Sequence, residues 1–260
     1  MRSTLISIDI HPKYPIKKEF FGSIVRGWFG SLLRCNTTKD CRNCHDLFDC
    51  PYYMIFKEMV DVKPYSLLSF QYGEKIRNLI RIHGERSRFV PMIVDKINTK
   101  GRNAHFNGIP YSIDEIRVHE IETANFKLGA ITEILLLSPL CLKHNNTMEM
   151  IPTFNSFFKA CVRSYNRITK YYDRENYPLR IDEKLRDTAA PITKYDVRSM
   201  KMIHECMDDR KIPLEGIMGS FQYDTSLVSP EVGKILKFGE LLQIGKHTTY
   251  GLGGILIKTR

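Results

Sequence analysis

Two groups of residues in this sequence have types and spacings that could do chemistry. The first is Gln243-Ile244-Gly245-Lys246-His247-Thr248-Thr249-Tyr250-Gly251-Leu252-Gly253. Glycines let a backbone take positive φ and approach a ligand without Cβ interference. Successive backbone amides in such a turn form an anion-binding concavity. Lys246 adds charge, and the hydroxyls of Thr248, Thr249 and Tyr250 can donate to phosphate oxygens. The expected chemistry is phosphate binding, with Gly245, Lys246, His247, Thr248, Thr249, Gly251 and Gly253 as contacts. A nucleotide-hydrolysing P-loop does not fit, because it needs G-x-x-x-x-G-K-[ST] opening a helix. Here five residues separate Gly239 from Gly245, and His247 stands where a Ser or Thr would hold magnesium. The competing reading is a plain turn, which would need fewer glycines and no basic centre.

The second group is Cys35-x5-Cys41-x2-Cys44-x5-Cys50, four soft ligands in one short segment. The central Cys-x2-Cys pair is the usual chelating knuckle of a structural site. Thiolates at this density suit tetrahedral zinc or an iron–sulfur cluster, and sequence does not separate the two. Reduced, unliganded cysteines are the competing reading. Cys141, Cys161 and Cys206 lie singly on apolar stretches and read as buried hydrophobes. Seven cysteines is an odd number, and the N-terminal stretch MRSTLISIDIHPKYP has no long apolar run or cleavage site. A reduced compartment is therefore expected rather than a disulfide framework.

The elements that must position these groups follow from periodicity. Ser3–Ile10 reads as a strand and Phe20–Arg34 as a helix, with Phe21, Ile24, Val25, Trp28, Phe29, Leu32 and Leu33 at helical spacing. Gly22, Gly27 and Gly30 weaken that helix and imply close packing against a sheet or a ligand. Tyr65–Tyr72 reads as a strand, 73–102 as a strongly basic segment holding a short helix at Val90–Ile97, and Tyr111–Ile121 as a strand. The second half reads as a strand over Ala130–Lys143, a helix over Thr153–Tyr172, strands over Ile192–His204 and Leu214–Tyr223, a helix over Glu231–Leu242 and a closing strand, Gly254–Lys258. Each half thus runs through the βαββαβ order of a ferredoxin-like unit. The expectation is an α+β protein of two tandem ferredoxin-like domains, 1–125 carrying the cysteine cluster and 126–260 carrying the glycine-rich loop.

The 260 residues are 43% hydrophobic, enough for a buried core, and the formal net charge of +10 favours polyanionic partners. A membrane span is excluded as an expectation: the longest apolar stretch, Gly129 to Leu142, is about 14 residues and contains Glu133.

The loop resembles the C-terminal glycine-rich signature of the RAMP superfamily, the RNA-binding proteins of CRISPR systems. That signature is Gly-apolar-Gly, five residues including a basic one, then Gly-apolar-Gly. Gly245, residues 246–250 and Gly251-Leu252-Gly253 match it, and Gln243 replaces its first glycine. Leu214–Asp224 and Leu137-Ser138-Pro139-Leu140 are similar to the second half of CRISPR repeat-processing endoribonucleases. Arg26-Gly27-Trp28-Phe29-Gly30, the clustered cysteines, and Cys50-Pro51-Tyr52-Tyr53 with Phe56 resemble a cysteine-bearing branch of them. The resemblance implies a cytoplasmic prokaryotic protein, monomer or homodimer, that binds CRISPR repeat RNA and works beside other CRISPR-associated subunits. It implies metal-independent cleavage in which a ribose 2′-hydroxyl attacks the adjacent phosphate, leaving a 2′,3′-cyclic phosphate. The alternative is a non-catalytic RNA-binding subunit of an effector complex.

Such cleavage needs a base, an acid and cations for the phosphorane, roles that histidine and lysine or arginine suit near neutral pH. The family often places its catalytic histidine just after the first helix. His45 occupies that neighbourhood, with Lys39, Arg42, Tyr52 and Tyr53 nearby; the competing reading makes it a metal ligand or a solvated bystander. His247 is the second candidate and His83 the third. His11, His105, His119, His144 and His204 read as surface or packed histidines. The catalytic expectation is His45, His247, Lys39 and Tyr53. Arg163 and Arg167, on the aromatic-rich helix, are expected to hold RNA by charge beside stacking rings.

Overall fold

The computed structural model describes residues 2–35, 41, 44–122, 126–173, 178–179, 185, 188–205 and 210–260. The first half runs β1 (Ser3–Pro12), α1 (Gly22–Leu33), β2 (Tyr65–Tyr72), β3 (Lys75–His83), α2 (Val90–Lys100), the short β4 (His105–Phe106) and β5 (Ile109–Ile121). Its sheet has the order β2-β3-β1-β5-β4, antiparallel throughout. The second half runs β6 (Ile131–Leu136), a small hairpin of β7 (Lys143–His144) and β8 (Thr147–Met148), α3 (Phe154–Tyr172), β9 (Ile192–Glu205), β10 (Lys211–Asp224), α4 (Glu231–Leu242) and β11 (Ile255–Thr259). Its main sheet has the order β11-β6-β10-β9. In both sheets the third long strand lies between the first and second, and the fourth lies outside the first. This is the ferredoxin-like arrangement twice over, as the element order predicts. The expected boundary between 125 and 126 adjoins residues 123–125, which lie outside the described residues.

Period-two burial explains the strands. On β1, Ile6, Ile8 and Ile10 are buried and face α1 and α2, whose Val25, Phe29, Leu32, Ile93 and Ile97 complete that core. In the second half, Ile134, Phe221, Ile255 and Ile257 pack under Phe154, Phe157, Phe158, Val232 and Leu236. Thr153 caps α3 by accepting from the Ser156 amide at 3.1 Å, which satisfies one of the free donors at a helix start.

Two elements differ from expectation. β3 lies inside the segment read only as basic. Its Ile76, Asn78, Ile80 and Ile82 are buried while Lys75, Arg77 and Arg81 alternate with them, so the charges masked a strand pattern. Arg77 there donates twice to Asp9 on β1, at 2.7 and 2.6 Å, and this holds the Asp9 carboxyl below its usual range. The strand expected over Ala130–Lys143 ends at Leu136. Pro139 has no amide to continue a ladder, and the chain instead bridges to β10 through Leu140 and Ile217, at 2.8 and 2.9 Å.

The two halves share a seam. Tyr165, Ile168, Tyr172, Phe238, Leu241 and Leu242 of the second half form a cluster against which Val60, Val62 and Ile121 of the first half pack. The Tyr172 hydroxyl donates to the Val62 carbonyl across it.

Candidate functional site

The glycine-rich loop belongs to the second half and is seated on the first. α4 ends at Gln243, whose φ of 60° and ψ of 157° lie in a region that is essentially glycine-only. Its side chain is completely buried. Nε2 donates to the Leu67 carbonyl of β2 at 2.8 Å and to the Leu252 carbonyl at 3.3 Å. Gly245, His247, Gly251 and Gly253 follow with φ between 65° and 88°. At Gly22 of α1 a Cβ would overlap the Tyr250 carbonyl, and one at Gly251 would lie 3.0 Å from Gly22 Cα. The glycines at the start of α1 and at the end of the loop therefore permit one close approach between the halves.

That packing changes what the loop amides do. The amides of Lys246 and Gly253 donate to the Cys141 and Pro139 carbonyls, and those of Tyr250, Gly251 and Leu252 donate within the loop. These five are occupied and do not form the phosphate cradle expected from the sequence. What the loop offers a ligand is its side chains. Lys246, His247, Thr248, Thr249 and Tyr250 line a cleft of about 380 Å³ with Lys63 and Tyr65 of the first half and Arg167 of α3.

His83 closes the floor of this cleft. It is buried, with Nδ1 3.0 Å from Ser3 Oγ, while Nε2 has no partner among the described residues. Burial, and then the neighbouring Arg81 cation, push its pKa down to about 3, so the ring is neutral. Burial also lowers His247, with Lys246 and Lys143 adding to the effect. Lys63 donates to the Glu58 carbonyl at 2.6 Å, and desolvation followed by Arg26 lowers its pKa.

Tyr250 lines this cleft and packs its ring against His204, which lines a second one. The Arg26 guanidinium lies 4.4 Å from its ring centroid and donates to the Tyr65 hydroxyl at 2.5 Å. The rings of His204 and His247 meet Tyr250 edge-on at 4.7 and 6.0 Å. Beyond Tyr250, a cleft of about 580 Å³ is lined by Lys18, Gly27, Trp28, His105 and His204, among others. Burial, and then Arg26, lower the pKa of His204.

Of the expected catalytic residues that are described, His45, Tyr53 and His247 do not line one cleft. His247 and Arg167 share the first cleft. His45 is exposed in a turn and Tyr53 packs at the fringe of the first core; neither lines that cleft. Lys39 and Arg42 lie outside the described residues. Arg163 is exposed on α3, away from the cleft lining. Cys35 is exposed and Cys41, Cys44 and Cys50 are partly buried, and the Cys44 amide donates to the Cys41 carbonyl at 3.2 Å. Among the described residues no three His, Cys, Asp or Glu side chains gather as a metal-holding group. Cys141 and Cys161 are buried as expected, and Cys206 lies outside the described residues. Sequence reasoning set aside His105 and His204. They are far apart in the chain, and only the docking of β9 beside α1 brings them to one cleft.

Residues 134–255 match the family model of CRISPR-associated endoribonuclease Cas6. No curated protein matches. Among solved structures, a Cas6 product complex aligns with a TM-score of 0.65 at 12% identity, covering 98% of this chain and 99% of that one. A Thermus thermophilus Cas6 aligns at 0.61 and 11% identity, covering 98% of each chain. The product of a Cas6-related gene from Pyrococcus furiosus aligns at 0.54 and 11%, again over 98% of both. At these identities the likeness shows the fold: the double ferredoxin-like architecture extends over the full length compared. Among the described residues no helix is long and apolar enough to cross a membrane.

Proposed function

We propose that the chain is a CRISPR-associated endoribonuclease of the Cas6 family, on the match of residues 134–255 to that family model, and that it cuts precursor CRISPR RNA within the repeat. The observation that carries this reading is the cleft at the seam, where Arg167 and Lys246 stand beside Thr248 and Thr249. Cations with hydroxyls along one wall suit an RNA backbone, and Tyr65 and Tyr250 supply aromatic surface for an unstacked base. Cleavage proceeds by attack of a 2′-hydroxyl on the adjacent phosphorus with release of the 5′-oxygen. No step draws on a metal. Lys246, His247, Thr248, Thr249 and Arg167 hold the strand, and Gly245, Gly251 and Gly253 set the path of the loop. Arg163 extends the contact along α3, and His45 with Lys39 and Tyr53 stays a candidate for proton transfer.

Purified protein incubated with cognate repeat RNA in EDTA is expected to give one cut with a 2′,3′-cyclic phosphate end. RNA left intact across several repeats would sink the reading. It would leave the second one, a non-catalytic RNA-binding subunit, which the failure of His45, Tyr53 and His247 to share a cleft favours. We also infer that Cys35, Cys41, Cys44 and Cys50 hold zinc or an iron–sulfur cluster. Donor chemistry and the Cys44 amide donating to the Cys41 carbonyl support it, and elemental analysis of the purified protein tests it.

A further inference from the structure

We propose that the cleft beyond Tyr250 is where the RNA is cut, with His204 and His105 as the two proton-transfer groups and Lys18 facing the phosphate. This rests on the nuclease reading above and names the site of its chemistry. Internal 2′-hydroxyl attack needs one group to take a proton, another to give one, and a cation for the phosphorane. In this cleft two histidines and a lysine line one concavity. The loop-side cleft also holds two histidines and two lysines, but there His83 is buried with Nδ1 3.0 Å from Ser3 Oγ, which leaves His247 as its one open imidazole.

The geometry supports each role. His204 is half-buried, packed on Tyr250. Its Nδ1 is buried without a partner among the described residues, so the ring presents Nε2 to the cleft. The Arg26 cation, held on the other side by Tyr65 and the Tyr250 ring, disfavours a second positive charge on His204. A neutral ring there can accept. His105 stands on the exposed side of β4, open to solvent, and can donate. In the step, the O2′–P bond forms as His204 takes the 2′-hydroxyl proton. The P–O5′ bond breaks as His105 gives a proton to the leaving oxygen. The products are a 2′,3′-cyclic phosphate and a 5′-hydroxyl, with no change of redox state.

Gly27 gives the cleft its room. A Cβ at that position would meet nothing within 4 Å, and helix α1 presents only hydrogen there. Tyr250 then divides labour: the strand is gripped on the side of Lys246 and Arg167 and passes the ring to reach the histidines.

The test is single-turnover cleavage of repeat RNA by wild type, His204→Gln, His105→Gln and Gly27→Leu, with RNA affinity measured on the same proteins. Each histidine variant is expected to lose about 100-fold or more in cleavage rate, with affinity within about threefold. Gly27→Leu puts a side chain into the cleft where a Cβ meets nothing within 4 Å and raises helix propensity, so a folded protein with the same loss is expected. Wild-type cutting in either histidine variant overturns the assignment. So does affinity lost in proportion to rate, which would make these groups RNA contacts only. An inactive wild-type protein sinks the nuclease reading and this inference together, whereas active variants sink the inference alone.

Discussion

Gln243 sits where the resembling signature has glycine, and its backbone keeps the glycine conformation. Holding a non-glycine residue there costs about 1–3 kcal/mol. The side chain offsets this by donating to Leu67 and Leu252 from a fully buried position. The two effects separate by substitution. Gln243→Ala keeps the strain and leaves the Leu67 carbonyl without this donor, a further loss of about 1–3 kcal/mol. Gln243→Gly loses the same hydrogen bond and relieves the strain. Urea unfolding is expected to rank alanine below both glycine and the native glutamine. An alanine variant as stable as the glycine variant would show that the backbone at 243 is not strained.

At the scale of elements, most of the order was legible because hydrophobic period reports local structure directly. β1, α1, α3 and α4 follow from spacing alone. β3 was not, since Lys75, Arg77 and Arg81 occupy its alternate positions and their charge hid the buried isoleucines. The loop is recognisable from its glycines, but their part in docking the two halves is not. Glycine near a basic residue suggests a ligand cradle, whereas Gly22 and Gly251 let α1 and the loop touch. Sequence pattern says nothing of contacts between distant segments, which is also why His204 and His105 read as surface or packed histidines. The contact between α1 and the loop predicts that Gly22→Ala, although favourable to helix propensity, forces the Tyr250 carbonyl away. The expected cost is about 1–3 kcal/mol, as for other overpacked sites, read as a lowered thermal midpoint with weakened RNA binding. An unchanged midpoint would argue that the halves are free to separate.

At the scale of the whole molecule, the net charge of +10 is not evenly spent. Arg77, Arg86 and Arg117 are paired with carboxylates, while Lys194, Arg198 and Lys201 stand exposed on β9. RNA affinity is therefore expected to fall steeply with salt, by about 0.7 in logarithmic slope for each phosphate neutralised on a single strand. Lys246→Gln and Arg167→Gln are each expected to reduce that slope by about 0.7, in filter binding across a salt series. Arg163→Gln separates two paths: a reduced slope means that the strand continues along α3, and an unchanged one confines it to the cleft. Slopes unaltered by Lys246→Gln and Arg167→Gln together would remove the loop-side cleft from the binding surface.

The tryptophan of α1 gives the second cleft a further property. Trp28 is the single tryptophan of the sequence, lies on the wall shared with His204 and His105, and is fixed by donating to the Tyr111 hydroxyl at 2.7 Å. Its emission therefore comes from one place in the molecule, beside the bond to be broken. An uncleavable 2′-deoxy repeat seated there would change that light, so arrival at the cutting position can be timed separately from the cut, with no dye attached to either partner.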